Sequence, residues 1–198
     1  MMKKFFCLLI VFVVLPGSGH LFAQTGSLGG VTKYAHKNFS GVIIPLTLDS
    51  VIIGLYQNNQ LYYQDTSDGI GQYSIDGIAP GTYEIRLECH KKSGGYGSVD
   101  AQAIARHFVQ LNNFSLSGIF KQAAHVGGHT YINSTDALLV TRRFVGLISS
   151  YPVGTDWVFE NFSISVTANQ NTIQNIYGLC YGDVNGTYTP FNSTPTTP

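Results

Sequence analysis

Between residues 96 and 147 the chain repeats itself, and that repeat restricts the fold more than any other feature. Sliding the sequence by 36 positions lays Ser98, Asp100 and Ala101 on Ser134, Asp136 and Ala137. The same shift lays Arg106, Phe108, Val109 and Leu111 on Arg142, Phe144, Val145 and Leu147. Each copy carries apolar residues at helical spacing: Ala101, Ile104, Phe108 and Leu111 in the first, Ala137, Val140, Phe144 and Ile148 in the second. Ser and Asp ahead of each run supply an N-cap. Two short amphipathic helices of one origin, neither able to cover its own apolar face, are expected to pack on each other.

Ahead of the repeat the pattern changes to period two. Val51, Ile53 and Leu55 alternate, Asn58-Asn59 turns the chain into Leu61-Tyr62-Tyr63, and Asp68-Gly69 with Gly71 leads into Gln72-Tyr73-Ser74-Ile75. Pro80-Gly81 then opens a run in which Tyr83, Ile85 and Leu87 share a face. Short alternating strands bounded by turn residues argue a β-sandwich. The order of these motifs, from Val51 to Leu87, resembles the carboxypeptidase-regulatory-like and collagen-adhesin B-type domains. That resemblance implies a prealbumin-like sandwich, a fold used for spacers and adhesion stalks rather than one that fixes a chemistry.

Met1-Met2-Lys3-Lys4, the apolar run Phe5 to Leu15, and Leu21-Phe22-Ala23 follow the plan of a secretory signal cleaved after Ala23. The run is too short to span about 30 Å of hydrocarbon as a helix. The expected mature chain therefore has no transmembrane segment and is secreted, or held at the cell surface. Charged residues make up only 11% of the chain and balance to zero, which excludes the basic face of a nucleic-acid binder. Cys89 and Cys180 remain after cleavage, and in an oxidising compartment such a pair reads as a disulfide.

The second copy, Asn133-Ser134-Thr135-Asp136 running into Ala137 to Leu147, resembles the dockerin repeat, a half EF-hand whose calcium loop leads straight into a helix. The resemblance implies Asp136 as the last loop ligand, with His125, Gly127 and His129 at the first, third and fifth positions and the Tyr131 carbonyl at the seventh. Calcium needs hard oxygens there. Two imidazoles and a glycine leave three readings open: a metal-free loop, calcium completed by water, or a transition-metal site on His125 and His129. In the first copy the corresponding positions fall on Cys89, Lys91 and Ser93, and a lysine cannot ligate calcium.

The missing loop start stands near the end of the chain. Gly182-Asp183-Val184-Asn185-Gly186-Thr187 resembles the opening of a dockerin loop, yet no helix follows it. The expectation is a composite calcium site. Asp183, Asn185 and Thr187 would meet the closing carboxylate of Asp100, with a backbone carbonyl from Gly95 or Thr189. With two carboxylates its affinity would be of order 10⁻⁴–10⁻³ M. If the two fragments meet, Cys89 and Cys180 approach as well, and a bond between them would contribute roughly 4–5 kcal/mol by loop-closure arguments.

The dockerin resemblance further implies a cohesin-like or other surface partner, received by Ser134 and Thr135, by Ser98 in the other copy, and by Arg142 and Arg143. Segments 156–166 and 171–179 alternate and are expected to form a β-hairpin that returns the tail. The expected organisation is a signal (1–23), a β-sandwich (24–90), a helix pair with hairpin and C-terminal loop (91–190), and a tail (191–198). This gives an α+β, mostly β chain. No nucleophile motif is present, and His125-Val126-Gly127-Gly128-His129 lacks the helix formers and general base of a helical metal-binding pair. The function expected is a non-catalytic calcium-binding docking or adhesion module. The alternative is a carbohydrate-binding accessory module of a polysaccharide-degrading system, since Tyr is plentiful.

Overall fold

Alternation along the strands decides what the sheets bury. In the computed structural model, residues 24–38 and 40–190 are described; the expected signal and tail lie outside them. The first half forms β1 (Gly26–Tyr34), β2 (Leu46–Thr47), β3 (Val51–Gln57), β4 (Gln60–Thr66), β5 (Gln72–Ile78) and β6 (Gly81–Cys89). Asn58 and Asn59, both at positive φ, close the β3–β4 hairpin as a two-residue turn whose twist matches that of the strands. Val51, Ile53 and Leu55 of β3 and Tyr83 and Ile85 of β6 face inward, as their period requires.

Three helices follow: α1 (Ser98–Phe108), α2 (Gly118–Ala123) and α3 (Ser134–Phe144). Four short strands then complete the sheets: β7 (Trp157–Phe159), β8 (Phe162–Val166), β9 (Asn171–Ile173) and β10 (Ile176–Cys180). The fold is α+β and mostly β.

One sheet runs β4-β3-β6-β8. The other is organised on β1. Its first half pairs antiparallel with β5 and parallel with β9, and its second half antiparallel with β2 and parallel with β10, which in turn carries β7. The hairpin expected over 156–179 is therefore not one hairpin. β8 pairs with β6 in one sheet, whereas β7, β9 and β10 belong to the other. Both halves of that segment are amphipathic strands, so their period is satisfied equally well by distant partners.

Leu28, Tyr73, Ile75 and Ile176 from one sheet meet Ile53, Leu55, Ile85 and Ile164 from the other in the sandwich core. A second core lies where the sheets end and the helices begin, around Tyr34, Leu48, Val51, Ile104, Val126, Val140, Trp157 and Leu179. Here α1 and α3 pack on each other, as the repeat implies. Their buried apolar residues are Ala101 and Ile104 on α1, and Leu139 and Val140 on α3. Phe108 and Phe144, expected on the buried faces, are 48% and 54% exposed. Each sits in the last turn of an eleven-residue helix, and on α1 nothing beyond Ile104 is buried.

Candidate functional site

Each repeat helix places an aspartate in its first turn. There one carboxylate oxygen closes the N-terminus: Asp100 Oδ2 accepts the Gly97 N–H at 2.9 Å, and Asp136 Oδ2 accepts the Asn133 N–H at 2.8 Å. Gly97 and Asn133, rather than the serines that follow them, are the N-caps. The second oxygen reaches out of the helix. Asp136 Oδ1 accepts from Gly127 N–H at 2.8 Å, while Asp100 Oδ1 accepts from Val184 and Asn185 N–H at 2.9 and 3.0 Å. Gly127 lies two residues after His125, and Asn185 two after Asp183. The tail segment 183–185 thus stands to α1 as 125–127 stands to α3, and the middle residues Val126 and Val184 are both buried.

The structure brings Asp100 and Asp183 together in a site closed to water, at 1% and 0% exposure. Asp183 accepts from Tyr34 Oη–H at 2.5 Å and Tyr188 N–H at 3.0 Å on Oδ2, and from Thr187 N–H at 3.1 Å on Oδ1. Asn185 Oδ1 also accepts from Thr187 N–H. Burial, and then the charge of Asp183, pushes the Asp100 carboxyl up to about 7 against the pull of its three N–H donors. Burial raises Asp183 as well. Neither carboxylate forms an ion pair among the described residues. Lys37 feels the Asp183 charge but sits over the Phe120 ring, and its own burial lowers its pKa.

Two glycines make this approach possible. Gly95, at φ +83°, passes so close that a Cβ would stand 2.6 Å from Asp183 Oδ2. Gly182, at φ +87°, leaves room for Tyr151 Oη, a buried hydroxyl with no hydrogen-bond partner among the described residues. Tyr34 and Tyr151 carry no sequence signal for this role, because they arrive from β1 and from the loop after α3. The side-chain oxygens gathered here are two carboxylates and the Asn185 amide, while Thr187 turns its N–H toward Asp183. Each carboxylate oxygen accepts from a backbone N–H or the Tyr34 hydroxyl, and oxygens of this kind are the donors a hard cation takes.

The second loop is built otherwise. The His129 imidazole packs over Gly127, where it occupies the space of a side chain at that position, and its Nδ1 lies 4.0 Å from Asp136 Oδ2. A ring nitrogen rather than a set of oxygens faces this carboxylate. His125 lines the clefts beside Tyr181 and Ile132, and its Nε2 is buried without a hydrogen-bond partner among the described residues. The Tyr131 side chain is 78% exposed.

Of the expected docking residues, Ser98, Ser134, Thr135 and Arg142 are exposed. Arg143 is not. Three residues after Val140, it falls on the buried face, where it bonds Asp156 at 2.6 Å and Ser93 at 3.2 Å and lies over the Tyr96 and Tyr151 rings. Its charge is committed to holding α3 against the strands. Cys89 and Cys180 share the helix-side core as free thiols, so the expected bond between them is not formed. They are near enough that the charge of Cys89 adds to burial, the main cause, in pushing the Cys180 thiol up to about 12. A thiol so far from ionisation is inert.

No protein-family model and no curated protein matches the sequence. Among solved structures the chain is similar to GBS52, the minor pilin of the Gram-positive pathogen Streptococcus agalactiae, at 10% identity and a TM-score of 0.38. The match covers 88% of this chain and 49% of that one, so the chain spans about half the length of the pilin it resembles.

Proposed function

We propose that this is an extracellular, non-catalytic module for surface assembly or adhesion, in which one weak calcium site across Asp100 and Asp183 fixes the helix pair to the sandwich. The observation that supports it most is the buried carboxylate pair, drawn from the middle and the late part of the chain and held by backbone N–H groups and the Tyr34 hydroxyl, with no cationic side chain paired to either among the described residues. Two like charges in a dry site cost stability that a divalent cation would offset. The exposed faces carrying Ser98, Ser134, Thr135 and Arg142 are then free to receive a protein partner. The sugar-stacking alternative draws less support, since Trp157, Tyr34, Tyr73, Tyr83 and Tyr151 are buried and the exposed tyrosines among the described residues, Tyr62 and Tyr131, stand on separate elements, β4 and the loop before α3.

Calcium titration of the chelated protein at pH 8, followed by thermal unfolding and calorimetric heat, tests the proposal. With a dissociation constant near 0.3 mM, about 10 mM calcium should add about 2 kcal/mol of stability. Asp100→Asn and Asp183→Asn should each abolish that gain, while Asp136→Asn should leave it. An unchanged unfolding temperature across the titration sinks the calcium site.

A further inference from the structure

Beside the composite site lies a groove of about 490 Å³, walled by α1, by the segment from Phe114 to Phe120, by Lys37, Asn38 and Gly41, and by Val184, Asn185 and Thr187. Two cations border it, and each is held on an aromatic ring. Lys37 Nζ lies 3.4 Å above the Phe120 centroid and the Arg106 guanidinium 4.5 Å above that of Phe114. Neither has a carboxylate partner among the described residues, and no Asp or Glu lines the groove. From 101 to 155 the only carboxylate in the chain is Asp136, buried at the other repeat. The apolar part of the wall is equally unpaired. Val99 is 61% exposed, and Val42, Ile43 and Ile44 stand about half exposed just beyond Gly41.

We infer that this groove docks an extended acidic segment of a partner protein, with carboxylates on Lys37 and Arg106 and aliphatic side chains on Val99 and Phe114. The inference rests on the docking reading above and names the chemistry of the partner. Charge complementarity selects the acid: two cations fixed by stacking have little conformational entropy left to lose, and a carboxylate meeting them replaces water on groups already half desolvated. The exposed valine and isoleucines select alternating aliphatic residues over a bare polyanion. Asp183 sits behind the groove wall, its charge felt by Lys37. A divalent cation on Asp183 would replace a negative charge behind the groove with a positive one. Lys37 gains no charge by this, since Asp183 already favours its protonated form, but the field on a bound carboxylate becomes more attractive, so calcium should tighten the docking.

The test is selection of a displayed random octapeptide library on the intact protein, with and without calcium. Enriched peptides should alternate Asp or Glu with Leu, Ile or Val. A fluorescein-labelled copy of the leading peptide should bind Lys37→Gln/Arg106→Gln at least tenfold more weakly than wild type, bind Lys92→Gln normally, and weaken as salt is raised. Lys37→Arg should retain binding, and circular dichroism of the double variant should match wild type. The inference is overturned by failed enrichment, by peptides without acidic residues, by equal binding to the double variant, or by anionic phosphatidylserine vesicles competing the peptide away. Acidic peptides that bind identically with and without calcium would leave the groove standing and remove its link to the metal site. A calcium response without peptide enrichment would remove the groove alone.

Discussion

Asp100 concentrates the physical cost of the site in a single side chain. In the unfolded chain its carboxyl loses a proton near the ordinary value of 3.8, and in the fold it keeps it until about pH 7. Between those values the folded state holds more protons. Raising the pH therefore removes stability, by at most about 1.4 kcal/mol per unit from this one group, and above 7 the contribution is gone. Urea unfolding of the chelated protein should show stability falling from pH 5 to pH 7.5, a slope that Asp100→Asn flattens. Stability rising over that interval would mean that the pair is not strained by its charge.

The backbone around Asp183 is constrained as tightly as the side chain. Gly95→Ala drives a Cβ to 2.5 Å from that of Tyr188 and 2.6 Å from Asp183 Oδ2, at a φ that favours glycine. Gly77→Ala meets a similar φ, +70°, with open space around it. The second should cost about 1 kcal/mol and the first clearly more, at least about 2 kcal/mol, in denaturant unfolding. Equal losses would place the whole penalty in the torsion and none in the close approach.

At the scale of elements, the two repeat helices divide labour along their length. The first two turns bury Ala101 and Ile104, or Leu139 and Val140, while the last turns present Phe108, Val109, Phe144 and Val145 to solvent. Ile104→Ala should therefore cost about 2–4 kcal/mol, as core truncations do, and Phe108→Ser within about 0.5 kcal/mol of nothing. A large loss at Phe108 would restore it to the core that its spacing suggests. The helices themselves are legible in sequence because Asp, Arg and Phe recur at a fixed shift, and an aspartate three residues after an N-cap is a local signal. α2 is not legible: six residues opening on Gly118 are too few to show a helical period. Arg143 is legible in part: it stands seven residues after Asp136 and three after Val140, on the buried face, and Arg142 does not. What the sequence hides is the partner, since nothing local points to Asp156 as the carboxylate that lets a guanidinium be buried there.

For the whole molecule, β1 decides how many cooperative units exist. It pairs with elements both before and after the helices: β2 and β5 on the early side, β9 and β10 on the late side. β8 likewise sits on the edge of β6 after a separation of roughly 80 residues. Such pairings leave no trace in local period, which is why the strands are legible one by one while their partners, and the Tyr34–Asp183 contact made across 149 residues, are not. A sandwich that borrows four strands from the far side of a helix pair cannot be completed without that pair. Calorimetry of the intact chain should show one transition, with calorimetric and van't Hoff enthalpies equal. A chain ending at residue 150 loses β7 to β10, the Asp183 segment, and the Trp157 and Leu179 side chains of the helix-side core. It should give no cooperative unfolding by circular dichroism and be digested by a low level of protease that leaves the full chain whole. A truncated chain that melts sharply would show that the residues before 150 reach a stable fold alone, and that the returning strands are an addition to it rather than part of its frame.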